Sequence, residues 1–153
     1  MKKIVYINID GIIAEFESKM FHQIKTIIKD EHYEYRSALY EIVPPIKGGI
    51  HAVESLLNMN EVEVNFISAP TWCDSEVWME KREWLSQLFK SEKVTKRLFL
   101  CHQKHLLRGD YLIDHSWRYG SKDFQGEWIH IGVDPRFQGW DKVVHYLSGE
   151  TRN

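Results

Sequence analysis

The chain has 153 residues, 43% of them hydrophobic and 27% charged, with a formal net charge of −2. That is enough apolar material for one domain with a packed core, and the near balance of charge argues against a nucleic-acid or membrane partner. No apolar run approaches the roughly 18 residues of a membrane span. Nor does the start, Met1-Lys2-Lys3, lead into a signal-peptide core. Cys73 and Cys101 are too few for a disulfide framework, so a cytoplasmic protein with reduced thiols is expected.

Residues 3–9 are apolar and β-rich and predict a first strand, which delivers Asn8, Asp10 and Gly11 at its carboxyl end. Residues 17–30 carry Met20, Phe21, Ile24, Ile27 and Ile28 at helical spacing, and 31–43 suit a second helix stopped by Pro44-Pro45. Gly48-Gly49 opens a helix to about residue 59, with Ile50, Val53, Leu56 and Leu57 on one face. Residues 62–68 predict a second strand, ended by Ala69-Pro70. An amphipathic helix over 75–89 follows, bearing Val77, Trp78, Trp84, Leu85, Leu88 and Phe89. Three short strands are predicted at 97–100, 111–114 and 128–131, with a helical turn at 104–107 and a closing helix over 137–147.

Strands alternating with helices argue for a single α/β domain over 1–153, with a central parallel sheet, helices on both faces and right-handed crossovers. The segment 17–45 is longer than an ordinary crossover and is expected to form a small helical cap over the strand tips. In such a sheet the carboxyl ends of neighbouring strands line one crevice. Those ends supply Asn8-Ile9-Asp10-Gly11, Ser68 in "FISAP", Lys104 in "CHQKHLLRGD" and Asp114-His115 in "YLIDHSW". Alone, each has an ordinary explanation: a turn, a helix cap, a solvated lysine, another cap. In this order, each at the end of an apolar run or at its expected offset, they describe a phosphate site. Ser and Lys bind phosphoryl oxygens, and Asp with a main-chain carbonyl suits Mg²⁺.

The sequence resembles the haloacid-dehalogenase-like (HAD) superfamily and, within it, the 5'(3')-deoxyribonucleotidases. The likeness runs through "INIDGIIAEF", "VPPIKGGIHAV", "FISAPTWCDSEVWMEKREWL", "KRLFLCHQKHLLRGDYLID" and "FQGEWIHIG". It implies a Rossmannoid three-layer fold with the cap inserted after strand 1, and Mg²⁺-dependent hydrolysis of a nucleoside monophosphate. It also implies roles. The position of Asn8 would attack phosphorus, and Asp10 would protonate the leaving oxygen and then activate water. Ser68 would hold the phosphoryl group, with Ala69 beside it, and Lys104 would neutralise its charge. Asn8, the Asp10 carbonyl and Asp114 would hold the metal. Members of such folds often pair, which makes a homodimer one expected assembly.

Two residues depart from the pattern. Where the family has a nucleophilic aspartate this chain has Asn8, whose neutral amide is a poor nucleophile and a weak Mg²⁺ ligand. Where it mostly has a second aspartate this chain has His115, and imidazole suits Zn²⁺ or Fe²⁺ better than Mg²⁺. Two changes at one metal site fit a naturally degenerate centre better than a single engineered substitution. The expectation is a phosphatase fold with weak or no turnover; the alternative is a non-catalytic module that binds a nucleotide, a phosphate or a partner. Trp72 is a candidate to stack on a base, and Trp78 fits helix packing at least as well. Phe16 belongs to the expected lid. His102 and His105 read as surface or supporting residues, Cys73 has no base to activate it, and Arg36, Lys47 and Arg118 are unranked anion contacts.

Overall fold

A computed structural model describes residues 1–15, 40 and 43–149. Its strands are β1 (Lys3–Asn8), β2 (Val62–Ser68), β3 (Leu98–Leu100), β4 (Tyr111–Asp114) and β5 (Glu127–His130). Its α-helices are α1 (Gly49–Asn58), α2 (Glu76–Leu88) and α3 (Trp140–Leu147), with 3-10 segments at Glu92–Val94, Lys104–Leu106 and Arg118–Asp123. The strands form one sheet in the order β3-β2-β1-β4-β5, and every pair is parallel. This is the α/β Rossmann-like architecture expected from the alternation of strands and helices. β1 lies at the centre, where the chain first winds outward to β2 and β3 and then returns to β4 and β5. The crevice of such a sheet opens at that switch, beside the carboxyl ends of β1 and β4.

The pleat separates the two faces. Val5 and Ile7 of β1, Val64 and Phe66 of β2, Ile113 of β4 and Ile129 of β5 join one buried cluster with Val53 and Leu56 of α1, Trp84 and Leu85 of α2 and Val143 of α3. The opposite face carries Tyr6, Ile67 and Leu112 under Phe124. Right-handed connections explain the split. Crossovers running from β1 towards β3 place their helices on one face, and those of the returning half fall on the other, where the described residues form short 3-10 segments.

Predicted boundaries agree with the observed ones except near the end. The closing helix starts at Trp140, not at residue 137. Phe137 is instead the buried plug of a turn: its amide donates to the Asp134 carbonyl at 2.9 Å, and its carbonyl accepts from the Gly132 amide at 2.8 Å. A buried aromatic next to a helix mimics helical spacing without being helical. The helices expected over 17–30 and 31–43, and so nearly all of the 17–45 cap, lie outside the described residues. The two ends of that excursion do run side by side. Glu15 N donates to Pro44 O at 2.8 Å and Ile46 N to Ile13 O at 2.6 Å. No described helix is long and apolar enough to cross a membrane.

Candidate active site

The loop after β1 is a tight knot. The Ile9 carbonyl accepts from the amides of Ile12, Ile13 and Ala14 at 3.3, 3.0 and 3.0 Å. Gly11 takes a left-handed conformation, φ +74°, and a Cβ there would sit 2.4 Å from His115 Cε1. Glycine is therefore required twice, by the turn and by the imidazole lying on it. The knot turns Asn8 and Asp10 into the crevice beside Ser68 of β2 and Asp114 of β4.

Five of the predicted residues fall into two adjoining ionic clusters. In the first, the Lys104 ammonium donates to Asp114 Oδ2 at 2.6 Å and to Asn8 Oδ1 at 3.3 Å. Asp114 is fully buried and takes further donors: Ser121 Oγ on Oδ2 at 2.7 Å, the Ser116 amide on Oδ1 at 3.1 Å and Asn8 Nδ2 on Oδ1 at 3.2 Å. Burial pushes its carboxyl up, but hydrogen bonding from His115 and the charge and hydrogen bond of Lys104, with Ser121, outweigh it and hold the group below the ordinary carboxylate range. In the second cluster Asp10 Oδ2 accepts from Lys81 Nζ at 2.6 Å and from Ser68 Oγ at 3.4 Å, while Tyr40 OH donates to Oδ1. Lys81 also donates to Ser68 Oγ at 2.6 Å and to Tyr40 OH at 2.7 Å. Its complete burial pushes the ammonium below the usual lysine range, against the pull of Asp10. The clusters meet where Asn8 Nδ2 donates to the Asp10 carbonyl at 3.0 Å.

Three members of this site were not read from the sequence. Lys81 had a usable signal: it sits four residues after Val77 and four before Leu85, in the middle of the apolar stripe of α2. A lysine there must be buried, and a buried lysine needs a partner. Tyr40 lies in the aromatic segment assigned only as helix. Ser121 follows Tyr119 and Gly120, both at positive φ, and no sequence pattern announces that turn.

Beside the clusters, loops after three strands bring aromatic rings together. Trp72 is 77% exposed, and its ring lies 6.1 Å from Trp78 and 6.0 Å from His102, which in turn is 5.8 Å from Tyr119. Trp78 is tied down by a 2.8 Å bond to Thr71 O, and His102 Nε2 donates to Pro70 O at 2.5 Å. Ala69 is half-buried at the end of β2. The ring of His105 packs against Gly120, so both candidate histidines support the loops. His115 is exposed with its ring on Gly11, and Lys47 is exposed in the cavity that both line; Cys73 and Arg118 are exposed too, and Phe16 and Arg36 lie outside the described residues.

The geometry defines a class of protein: a parallel α/β domain whose strand tips gather a hydroxyl, two buried lysines and two carboxylates. Comparison with known proteins gives the family. The chain is 34% identical to a protein of Vibrio phage KVP40 named "Putative 5'(3')-deoxyribonucleotidase", over 99% of this chain and 88% of the relative. A protein of Acanthamoeba polyphaga mimivirus bearing the same family name is 25% identical over 71% of this chain, which spans 61% of that longer relative. No family model matches. The chain belongs to the 5'(3')-deoxyribonucleotidase family.

The residues present do not fit the Mg²⁺ site that the resemblance implies. Of its three expected holders, Asn8 turns its amide nitrogen on the other two and donates to the Asp10 carbonyl and to Asp114 Oδ1. Among the described residues, no group of three His, Cys, Asp or Glu side chains is placed to hold a metal ion.

Proposed function

We propose that this chain is a HAD-type, phosphate-monoester-binding member of its family in which the hydrolytic step is blocked. Ser68 and Lys104 grip the phosphoryl group, with the backbone at Ala69 beside them. A nucleoside monophosphate is the ligand, its base resting on Trp72. Asp10, held by Lys81 and Tyr40, keeps the place of the group that would pass a proton to the leaving oxygen.

The observation carrying this reading is Asn8 at the tip of the central strand, its amide oxygen turned to Lys104 at 3.3 Å. The amide lone pair is delocalised and carries no formal charge. Attack on phosphorus through that oxygen would leave a cationic adduct beside an ammonium. Removing a lone nucleophile elsewhere costs about 10⁶ in rate, and the same order is expected here.

The test is a phosphatase assay on the unmodified chain with dUMP, dTMP and a generic aryl phosphate, run with Mg²⁺. No turnover above background is expected, with activity appearing in Asn8→Asp and more strongly in Asn8→Asp/His115→Asp. Robust metal-dependent turnover by the unmodified chain refutes the block. Failure of both dUMP and inorganic phosphate to bind favours the alternative, an interaction protein with a vestigial crevice.

A further inference from the structure

Resting on the phosphate-site reading above, we infer that this centre takes a phosphate monoester without any divalent cation, the Asn8 amide and the Lys104 ammonium standing where the ion would. The rotation of the amide is fixed by its partners' chemistry. Lys104 has only donors, so the group 3.3 Å from its Nζ must be the amide oxygen. The Asp10 carbonyl and the ionised Asp114 have only acceptors, so the group 3.0 and 3.2 Å from them must be the amide nitrogen. Turning the amide over would set donor against donor and acceptor against acceptor at all three contacts.

A hard dication needs those same acceptor oxygens bare, in near-octahedral geometry. Here Asn8 supplies an N–H to each. Asp114 is further occupied by Lys104 and Ser121 on one oxygen and the Ser116 amide on the other. Charge leads to the same conclusion. Among the described residues, Asp10 is paired with Lys81 at 2.6 Å and Asp114 with Lys104 at 2.6 Å, one ammonium to each carboxylate. An aspartate at position 8 would add one uncompensated carboxylate, and a cation would then be needed to hold the centre together. With asparagine that demand disappears. A bound phosphate adds negative charge of its own, and that charge falls to the Lys104 ammonium, with a hydrogen bond from Ser68 beside it.

Two measurements on the full chain decide this. Mn²⁺ alone, followed by water-proton relaxation, should show no saturable binding to the unmodified protein. Asn8→Asp should show saturable one-to-one binding. In calorimetric titration, dUMP should bind with the same affinity, within about twofold (well under 1 kcal/mol), in EDTA and in Mg²⁺. Saturable one-to-one Mn²⁺ binding by the unmodified chain at sub-millimolar metal overturns the closed cation site, whether or not the variant folds. A fall in dUMP affinity of more than about tenfold in EDTA (1.4 kcal/mol) overturns it equally. Absence of dUMP and phosphate binding in both buffers refutes the phosphate reading itself, while the manganese measurement still decides the cation site.

Discussion

Replacing Lys104 with methionine removes one charge and keeps most of the side-chain volume. Lys104 and Asp114 are both buried, and their side chains meet at 2.6 Å. Breaking a buried pair from one side costs about 3–5 kcal/mol, because the remaining charge has lost its partner. Asp114 keeps Ser121, the Ser116 amide and the Asn8 amide, so the lower end is expected, about 3 kcal/mol. At about 2–4 °C per kcal/mol for a chain of this size, the melting temperature should fall by about 6–12 °C. The penalty must also depend on pH. In the unmodified protein the carboxyl of Asp114 is held below its unfolded value, so its contribution is present above about pH 4 and is lost as pH falls through the folded value. In Lys104→Met the same carboxyl rises, and its burdensome charge is relieved by protonation. Both effects shrink the difference between the two proteins as pH falls. Urea unfolding followed by tryptophan fluorescence at pH 7 and near pH 3 measures it. Lys104→Met/Asp114→Leu should recover at least half of the loss at pH 7. A variant within about 1 kcal/mol of the parent at pH 7, or a penalty that does not diminish in acid, would refute the reasoning.

Two further outcomes are expected. Gly11→Ala should cost about 2–3 kcal/mol, from its left-handed backbone and from the 2.4 Å approach of the new Cβ to the His115 ring. Adding His115→Ala should return about 1 kcal/mol of this, and denaturant unfolding of the four proteins in that cycle gives the coupling directly. The phenol of Tyr146 is pushed up to about 12, first by its hydrogen bond to Glu127, 2.7 Å away, and then by burial. A raised phenol contributes its stability below its ordinary value and loses it as pH rises through about 12. Ultraviolet titration should lose one tyrosinate from its highest-pH step in Tyr146→Phe; a step unchanged in that variant would contradict the assignment.

The sequence by itself determined the alternation of elements, and with it the parallel sheet, because each strand is a short apolar run punctuated by Gly, Pro or a polar tip. Strands 62–68 and 111–114 were legible to the residue, being short, largely buried apolar runs that end on a polar tip. It also marked Asn8, Asp10, Ser68, Lys104 and Asp114 as strand-tip residues, since polar side chains at those ends have one crevice to face. What it could not decide was pairing across the fold. That Lys81 from α2 would reach Asp10 and Ser68, that Ser121 would cap Asp114 from a turn at positive φ, and that the Asn8 amide would bind both presumptive metal oxygens are all contacts between segments far apart in the chain. Local pattern fixes which groups arrive at the crevice. Only the three-dimensional packing decides which donor meets which acceptor, and in this centre it sets the Asn8 amide nitrogen against the Asp10 carbonyl and the Asp114 carboxylate.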